Sequence, residues 1–182
     1  MRHGETEWSS AFKHTSRTDI PLTASGEESA RVIAGFLRGH PFGLVMASPM
    51  RRARATCELA GYGQQMQLSS DLVEWDYGVY EGLTTAEIRQ TSPGWNVWEA
   101  DIVGGETAEQ VGQRADRVID FTSKADGDAL LFGHAHMLRI LAARWLNLPA
   151  VEGRHLALTT GAACVLGYER ETRVIRLWNH VC

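Results

Sequence analysis

The chain has 182 residues, 44% of them hydrophobic and 22% charged, with 18 basic and 22 acidic side chains and a formal net charge of −4. This is enough apolar material for the core of one domain, and it excludes a largely disordered chain. The mild acidity argues against a broad nucleic-acid surface, and no apolar run approaches the roughly 20 residues that a membrane-spanning helix needs.

The chain opens on "MRHGET", a polar stretch without the apolar run of a secretion signal. Residues 25–39 read as a helix: acids fill its first turn, Val32, Ile33, Phe36 and Leu37 recur at helical spacing, and Gly39 can end it. Residues 42–48, "FGLVMAS", read as a buried strand that turns polar at its end. A second helix follows directly, with Ser48 as its N-cap and Pro49 at its first helical position. Residues 74–106 are rich in turns and aromatics, with one short helix over 84–91.

A longer helix over 105–125 carries Val111, Ala115, Val118 and Ile119 on one face. "DALLFGH" is another buried strand running into polar residues, and "MLRILAARWLNLP" is an apolar helix stopped near Pro149. Residues 161–169 and 173–179 read as two strands of a hairpin around "RETR". Alternating helices and buried strands give the class α/β with a mostly parallel sheet. Ligands of such sheets sit beyond the carboxyl ends of the strands, where "MAS-PMRR" and "LFG-HAH" carry their reactive residues.

Five polar residues in separate segments form a chemically coherent set: Arg2, His3, Arg52, Glu74 and His134. Guanidinium groups fork onto phosphate oxygens. A neutral imidazole can attack phosphorus, and a carboxylic acid can protonate a leaving alkoxide. The bland alternatives are a solvated tail at Arg2–His3, an exposed basic helix start at Arg51, Arg52 and Arg54, and loop acids at Glu74, Asp76 and Glu81. His134 and His136 form an HxH pair that could hold a metal only with further ligands nearby. Trp75, Trp95 and Trp98 flank the acid segment and could shape a pocket mouth, whereas Trp145 and Trp178 read as core.

The motifs resemble those of the histidine phosphatase superfamily, the phosphoglycerate-mutase-like family, over nearly the whole chain. "RHGETEW", "TDIPLTASGEESA", "SPMRRARATCELA", "EWDYGVYEGLT", "GGET" and "GHAHMLR" are similar to its motifs in its order. The resemblance implies a three-layer α/β/α fold in a single domain over 1–182, with a smaller lobe of about residues 75–106 over the site. It implies His3 as the nucleophile that becomes phosphohistidine, Glu74 as the proton donor, and Arg2, Arg52 and His134 as phosphate ligands, with Arg51 the fallback for Arg52.

It further places Ser9, Thr15, Ser16 and Ala135 against the substrate. Ser16 and Ala135 stand where the family usually has glycine. No metal or cofactor is implied. The expected ligand is a small phosphorylated metabolite, with no nucleic-acid or membrane partner and with a homodimer as the assembly common among relatives.

Mutases of this family carry a lysine and an arginine pair in an insertion after the acid motif. Here the matching stretch has Arg89 as its only basic residue, with Glu99 and Ala100 at the place of the pair. The expectation is therefore a metal-independent phosphomonoesterase of the acid-phosphatase type. The alternatives are a phosphoglycerate mutase or sugar bisphosphatase and, in another class, a phosphate-binding module with weak catalysis. Weak charge at the pocket mouth would suit an uncharged leaving group. Cys57, Cys164 and Cys182 are widely spaced with no CxxC pair, which suits a reduced, cytoplasmic chain and no structural zinc.

The strand that should hold "RHG" still is missing. Either the natural protein begins about five to ten apolar-rich residues earlier, one strand's length, or Met1–His3 pairs as a stub and leaves the sheet open beside it.

Overall fold

The structure is a computed structural model and describes residues 1–181. In chain order its elements are α1 (Glu7–Ser10), α2 (Ala24–Leu37), β1 (Phe42–Ala47), α3 (Arg51–Leu59), β2 (Met66–Leu68), α4 (Thr85–Thr91), α5 (Ala108–Thr122), β3 (Asp128–Phe132), α6 (Ala135–Trp145), β4 (Ala163–Glu169) and β5 (Thr172–His180). β1 lies between β2 and β3, parallel to both, while β4 and β5 form the expected antiparallel hairpin.

The side chains of β1 and β3 alternate between two apolar clusters, as the two-residue period of a strand requires. Val45, Ala47, Leu130 and Phe132 pack with Ile33 and Leu37 of α2 and Cys57 of α3. Leu44 and Met46 pack with Val111 and Val118 of α5 and with Met137 and Ile140 of α6. Helices therefore cover both faces of the parallel strands, so "FGLVMA" needs no polar residue. Trp75, Tyr77, Ile88, Trp95, Val97 and Ile102, from the turn-rich segment before α5, bury in the same cluster as α5 and α6.

Local chemistry corrects several sequence-based boundaries. α2 starts at Ala24, because the Thr23 hydroxyl rather than Ser25 accepts the amide of Gly26. α3 begins at Arg51 after Met50, not at Pro49. Ser48 does not cap it: its hydroxyl accepts the Met50 amide and is held by His134 Nε2 at 2.8 Å. α1 and β2 went unseen, being four and three residues long, too short to show a period.

Met1–His3 bridges the parallel strands to the segment that precedes the hairpin. On one side the Met1 ammonium donates to the Leu131 carbonyl at 2.8 Å, the Gly133 amide to Met1, and the His3 amide to Gly133. On the other side the Arg2 amide donates to Ala162, and the Gly161 amide to His3. These three residues join the parallel strands to the hairpin. Beside the stub a cavity of about 410 Å³ separates β3 from β4, with Met1, Leu130, Leu131, Trp145, Leu166 and Trp178 on its walls. Burial lowers the pKa of the Met1 ammonium at the head of this cavity.

Candidate active site

The stub delivers His3 to the carboxyl edge of β1 and β3, and Gly4 then turns the chain against the start of α2. A Cβ on Gly4 would lie 2.3 Å from the Gly26 carbonyl oxygen, and one on Gly26 would lie 2.2 Å from that of Glu5. This close approach of backbones explains glycine at both positions. The Gly4 amide donates to Thr56 Oγ1 of α3, and that hydroxyl donates on to the Arg52 carbonyl.

His3 is 5% exposed, and its Nδ1 lies 2.7 Å from the Gly4 carbonyl oxygen. A carbonyl only accepts, so Nδ1 carries the proton and Nε2 carries the lone pair. Burial first, then the charges of Arg2 and Arg52, push the His3 pKa well below the usual histidine value. The ring is thus a neutral base near pH 7.

His134 stands 5.1 Å from His3, ring centre to ring centre and edge-on. Its Nδ1 accepts from Arg52 Nε at 3.2 Å, so its Nε2–H donates to Ser48 Oγ. Burial, then the charge of Arg52, keeps it neutral as well. Arg52 is fully buried and spends three further donors on the carbonyls of Thr15, Ser16 and Thr18. Arg51 is exposed, and its amide donates to Asp19. Arg52 is therefore the arginine that α3 presents to the site.

Glu74 is 5% exposed, and its carboxylate sits at the N-terminus of α6. Oε1 accepts the amides of Trp75 and Met137 at 3.0 and 2.9 Å, while Oε2 accepts only that of His136, at 3.1 Å. Each carboxylate oxygen has two lone pairs, so Oε2 keeps the one that can carry a proton. Arg114 of α5 fixes this loop: it pairs with Glu106 and donates to the carbonyls of Asp71, Val73 and Glu74. The rival acids are loop clamps. Glu81 accepts the amides of Ser16 and Thr18, and Asp76 accepts that of Gly78 and pairs with Arg17.

Arg2, His3, Ser9, Thr15, Glu74 and Ala135 line one cavity of about 410 Å³. Arg52, His134 and Ser16 lie behind its wall. Ser16 is buried, with its hydroxyl on the Glu74 carbonyl. Ser9 is occupied in the capping box of α1, and the Thr15 hydroxyl donates to Lys13. Arg2 donates through Nη1 to Leu158, and its Nε is buried with no partner among the described residues. A buried guanidinium donor without a partner beside a neutral imidazole is chemically suited to an anion.

In the outer half of this cavity Trp95 and Trp98 lie where sequence reasoning expected a pocket mouth, whereas Lys13, Tyr77 and Arg139 went unforeseen. Lys13, His14, Tyr77, His136 and Arg139 line it together with Trp95 and Trp98. Tyr77 is buried, burial raises its pKa, and its hydroxyl lies 2.6 Å from His136 Nδ1. The phenol keeps its proton and donates it, which leaves His136 Nε2 as an N–H donor. His134 and His136 thus serve different partners, and the HxH pair does not converge. Arg139 lies within the quoted "GHAHMLR" segment, but only the turn of α6 shows that it reaches the cavity.

A family model described as histidine phosphatase superfamily (branch 1) matches residues 1–181. An acid phosphatase of Mycobacterium tuberculosis is 38% identical over 188 residues, covering 99% of this chain and 92% of that protein. A sedoheptulose 1,7-bisphosphatase of Saccharomyces cerevisiae is 34% identical over 180 residues, covering 81% of this chain and 66% of that protein. Among solved structures, an open reading frame product of M. tuberculosis superposes with a TM-score of 0.93 at 35% identity, covering 99% of this chain and 95% of that one.

Proposed function

The chain belongs to the histidine phosphatase superfamily, and on that premise we propose that it is a phosphomonoesterase acting on small phosphorylated metabolites through a phosphohistidine at His3. The observation that carries this reading is the tautomer of His3: a neutral, buried ring with its Nε2 lone pair unspent, beside the unpartnered Nε of Arg2.

The Nε2 lone pair attacks phosphorus, and the bond to the ester oxygen breaks. Glu74 Oε2 gives its proton to the leaving oxygen. A water then loses a proton to Glu74 and attacks the phosphohistidine, the P–N bond breaks, and phosphate departs with His3 restored. Arg2 offsets the charge on the transferring group directly. Arg52 and His134 support it from behind, through the Thr15–Thr18 carbonyls and the edge of the His3 ring; His134 would have to exchange a present partner to touch phosphate, whereas Arg52 keeps one Nη1 hydrogen without a partner among the described residues.

Water as the acceptor accords with the hydrolases among the relatives, and small phosphate esters are the ligands that the cavity suits. Cys57 and Cys164 are both free, which favours a reducing, cytoplasmic setting. Among the described residues no helix is long and apolar enough to cross a membrane.

The test is turnover of p-nitrophenyl phosphate by the purified protein in chelator, with acid quench to trap acid-labile phosphate on His3. His3→Ala should lower kcat by about a thousandfold or more. Wild-type turnover by that variant, or tight phosphate binding without turnover in the parent, overturns the reading.

A further inference from the structure

Phe12 is the most exposed large apolar side chain among the described residues, at 84%, and it stands on the lining of the cavity that His3 shares. A single exposed apolar residue is ordinary on a protein surface. Phe12 differs in its backbone, whose φ of +56° lies in the left-handed region. Helix α1 ends there in a doubly closed turn: the Lys13 amide donates to the Trp8 carbonyl at 2.9 Å, and the Phe12 amide donates to that of Ser9 at 3.2 Å. The residue at this place in such a turn takes a positive φ, which glycine adopts at no steric cost. A bulky side chain adopts it only under strain. Asn147 and Asn179 also have positive φ, but asparagine tolerates it, and Arg170 lies at the turn between β4 and β5.

The neighbouring backbone leaves Phe12 no room to relax. Lys13 bridges to Thr84, and the His14 amide donates to the Leu83 carbonyl at 2.9 Å. The ring is thus held at the cavity while it faces water. The other aromatic walls are packed: Trp95 lies edge-on to His14 and Tyr80, and Trp98 lies edge-on to Trp75 and His136. Among the rings that line the cavity only Phe12 is exposed, so it has the most apolar surface left for a ligand to cover. The expectation of weak charge at the mouth does not hold, because Lys13 and Arg139 line the cavity as well as Arg89. Lys13 lies over the Trp8 ring and Arg139 over that of Trp98, so a test of apolar contact must separate it from charge.

We propose that Phe12 is a specificity-determining residue: its ring covers one face of the leaving group, so that the favoured phosphate esters present a flat apolar face at the cavity mouth. The inference rests on the phosphatase reading and extends it to one residue and the surface that residue recognises. The strain at the end of α1 is then the cost of placing a ring where the backbone favours glycine.

Ethyl phosphate and benzyl phosphate test it, followed by phosphate release. Both release a primary alcohol of similar acidity, so the ring is the difference between them. The parent protein should favour benzyl phosphate in kcat/KM by about tenfold or more, chiefly through KM, and the preference should survive added salt. Phe12→Gly should cut the benzyl-to-ethyl ratio by about fivefold or more and raise Tm by about 2–4 °C as the strain is relieved. Phe12→Asn also suits the left-handed backbone and should lose the ratio equally, whereas Phe12→Tyr keeps the ring and should hold it within about twofold. A ratio that does not move in Phe12→Gly, a loss that Phe12→Asn does not share, or a Tm that falls in Phe12→Gly overturns the role of Phe12 alone. No phosphate release from either ester, nor from p-nitrophenyl phosphate, overturns the phosphatase reading and this inference with it.

Discussion

Two oxygens of one carboxylate play different parts. Oε1 of Glu74 is saturated by two amides and holds the start of α6, while Oε2 has a lone pair to spare. Replacement by glutamine keeps an acceptor but removes the acid. Glu74→Gln should therefore lower kcat/KM by about a hundredfold or more on an alkyl ester, whose leaving oxygen needs the proton. On p-nitrophenyl phosphate, whose leaving group departs as a stable anion, the loss in kcat/KM should be about tenfold or less. Parallel losses on the two substrates would deny Glu74 the proton. This choice between Glu74, Asp76 and Glu81 could not be made from residue types, because all three are acids in one loop. What separates them in the structure is the set of amides each one accepts, which supports the proposal for Glu74. His136 was likewise legible as a residue and not as a donor, since its tautomer depends on Tyr77, 59 residues away.

At the level of elements, the loop that carries His3, the proposed nucleophile, is clamped between α2 and α3. Gly4 and Gly26 touch backbone to backbone, and Thr56 takes the Gly4 amide. Gly26→Ala would drive a methyl group into the Glu5 carbonyl, so the loop or the helix must move. We expect a stability loss of about 2 kcal/mol by urea denaturation, together with a fall in kcat at saturating substrate. A loss of stability with unchanged kcat would show that the loop's position does not depend on α2.

The buried strands and long helices were legible because their apolar periods are long and unbroken. The caps were less so: Thr23 and Ser25 both suit a cap, and the tertiary bond from Thr23 to Glu5 decides between them. Ser48 had the right type and place for a cap but is held by His134 instead. Such competition between local and long-range partners cannot be read along a chain.

Across the whole molecule, two buried and two half-buried histidines stay neutral: His3, His134 and His136 well below the usual value, and His14 lowered to about 4. The unfolded chain takes up these protons near pH 6.5, while the folded protein refuses them until lower pH. The unfolded state therefore binds more protons between about 6.5 and 4, and stability is greatest above that window and falls as pH drops through it. Each such histidine steepens the fall by at most about 1.4 kcal/mol per pH unit. Urea midpoints at pH 7 and pH 5 should show the loss, and His14→Gln should reduce it. A flat profile over that range would contradict the burial of these rings.

The three-residue stub carries a last consequence. Met1–His3 supplies the only backbone pairing seen between the parallel strands and the hairpin among the described residues, and His3 is also the proposed nucleophile. The link between the parallel strands and the hairpin and the proposed nucleophile therefore belong to one short segment. Parting that link is an inactivation step that requires neither the parallel strands nor the hairpin to melt. The position of His3 rests on a few hydrogen bonds with Gly133, Gly161 and Ala162, whereas the fold rests on the two cores on either side of them.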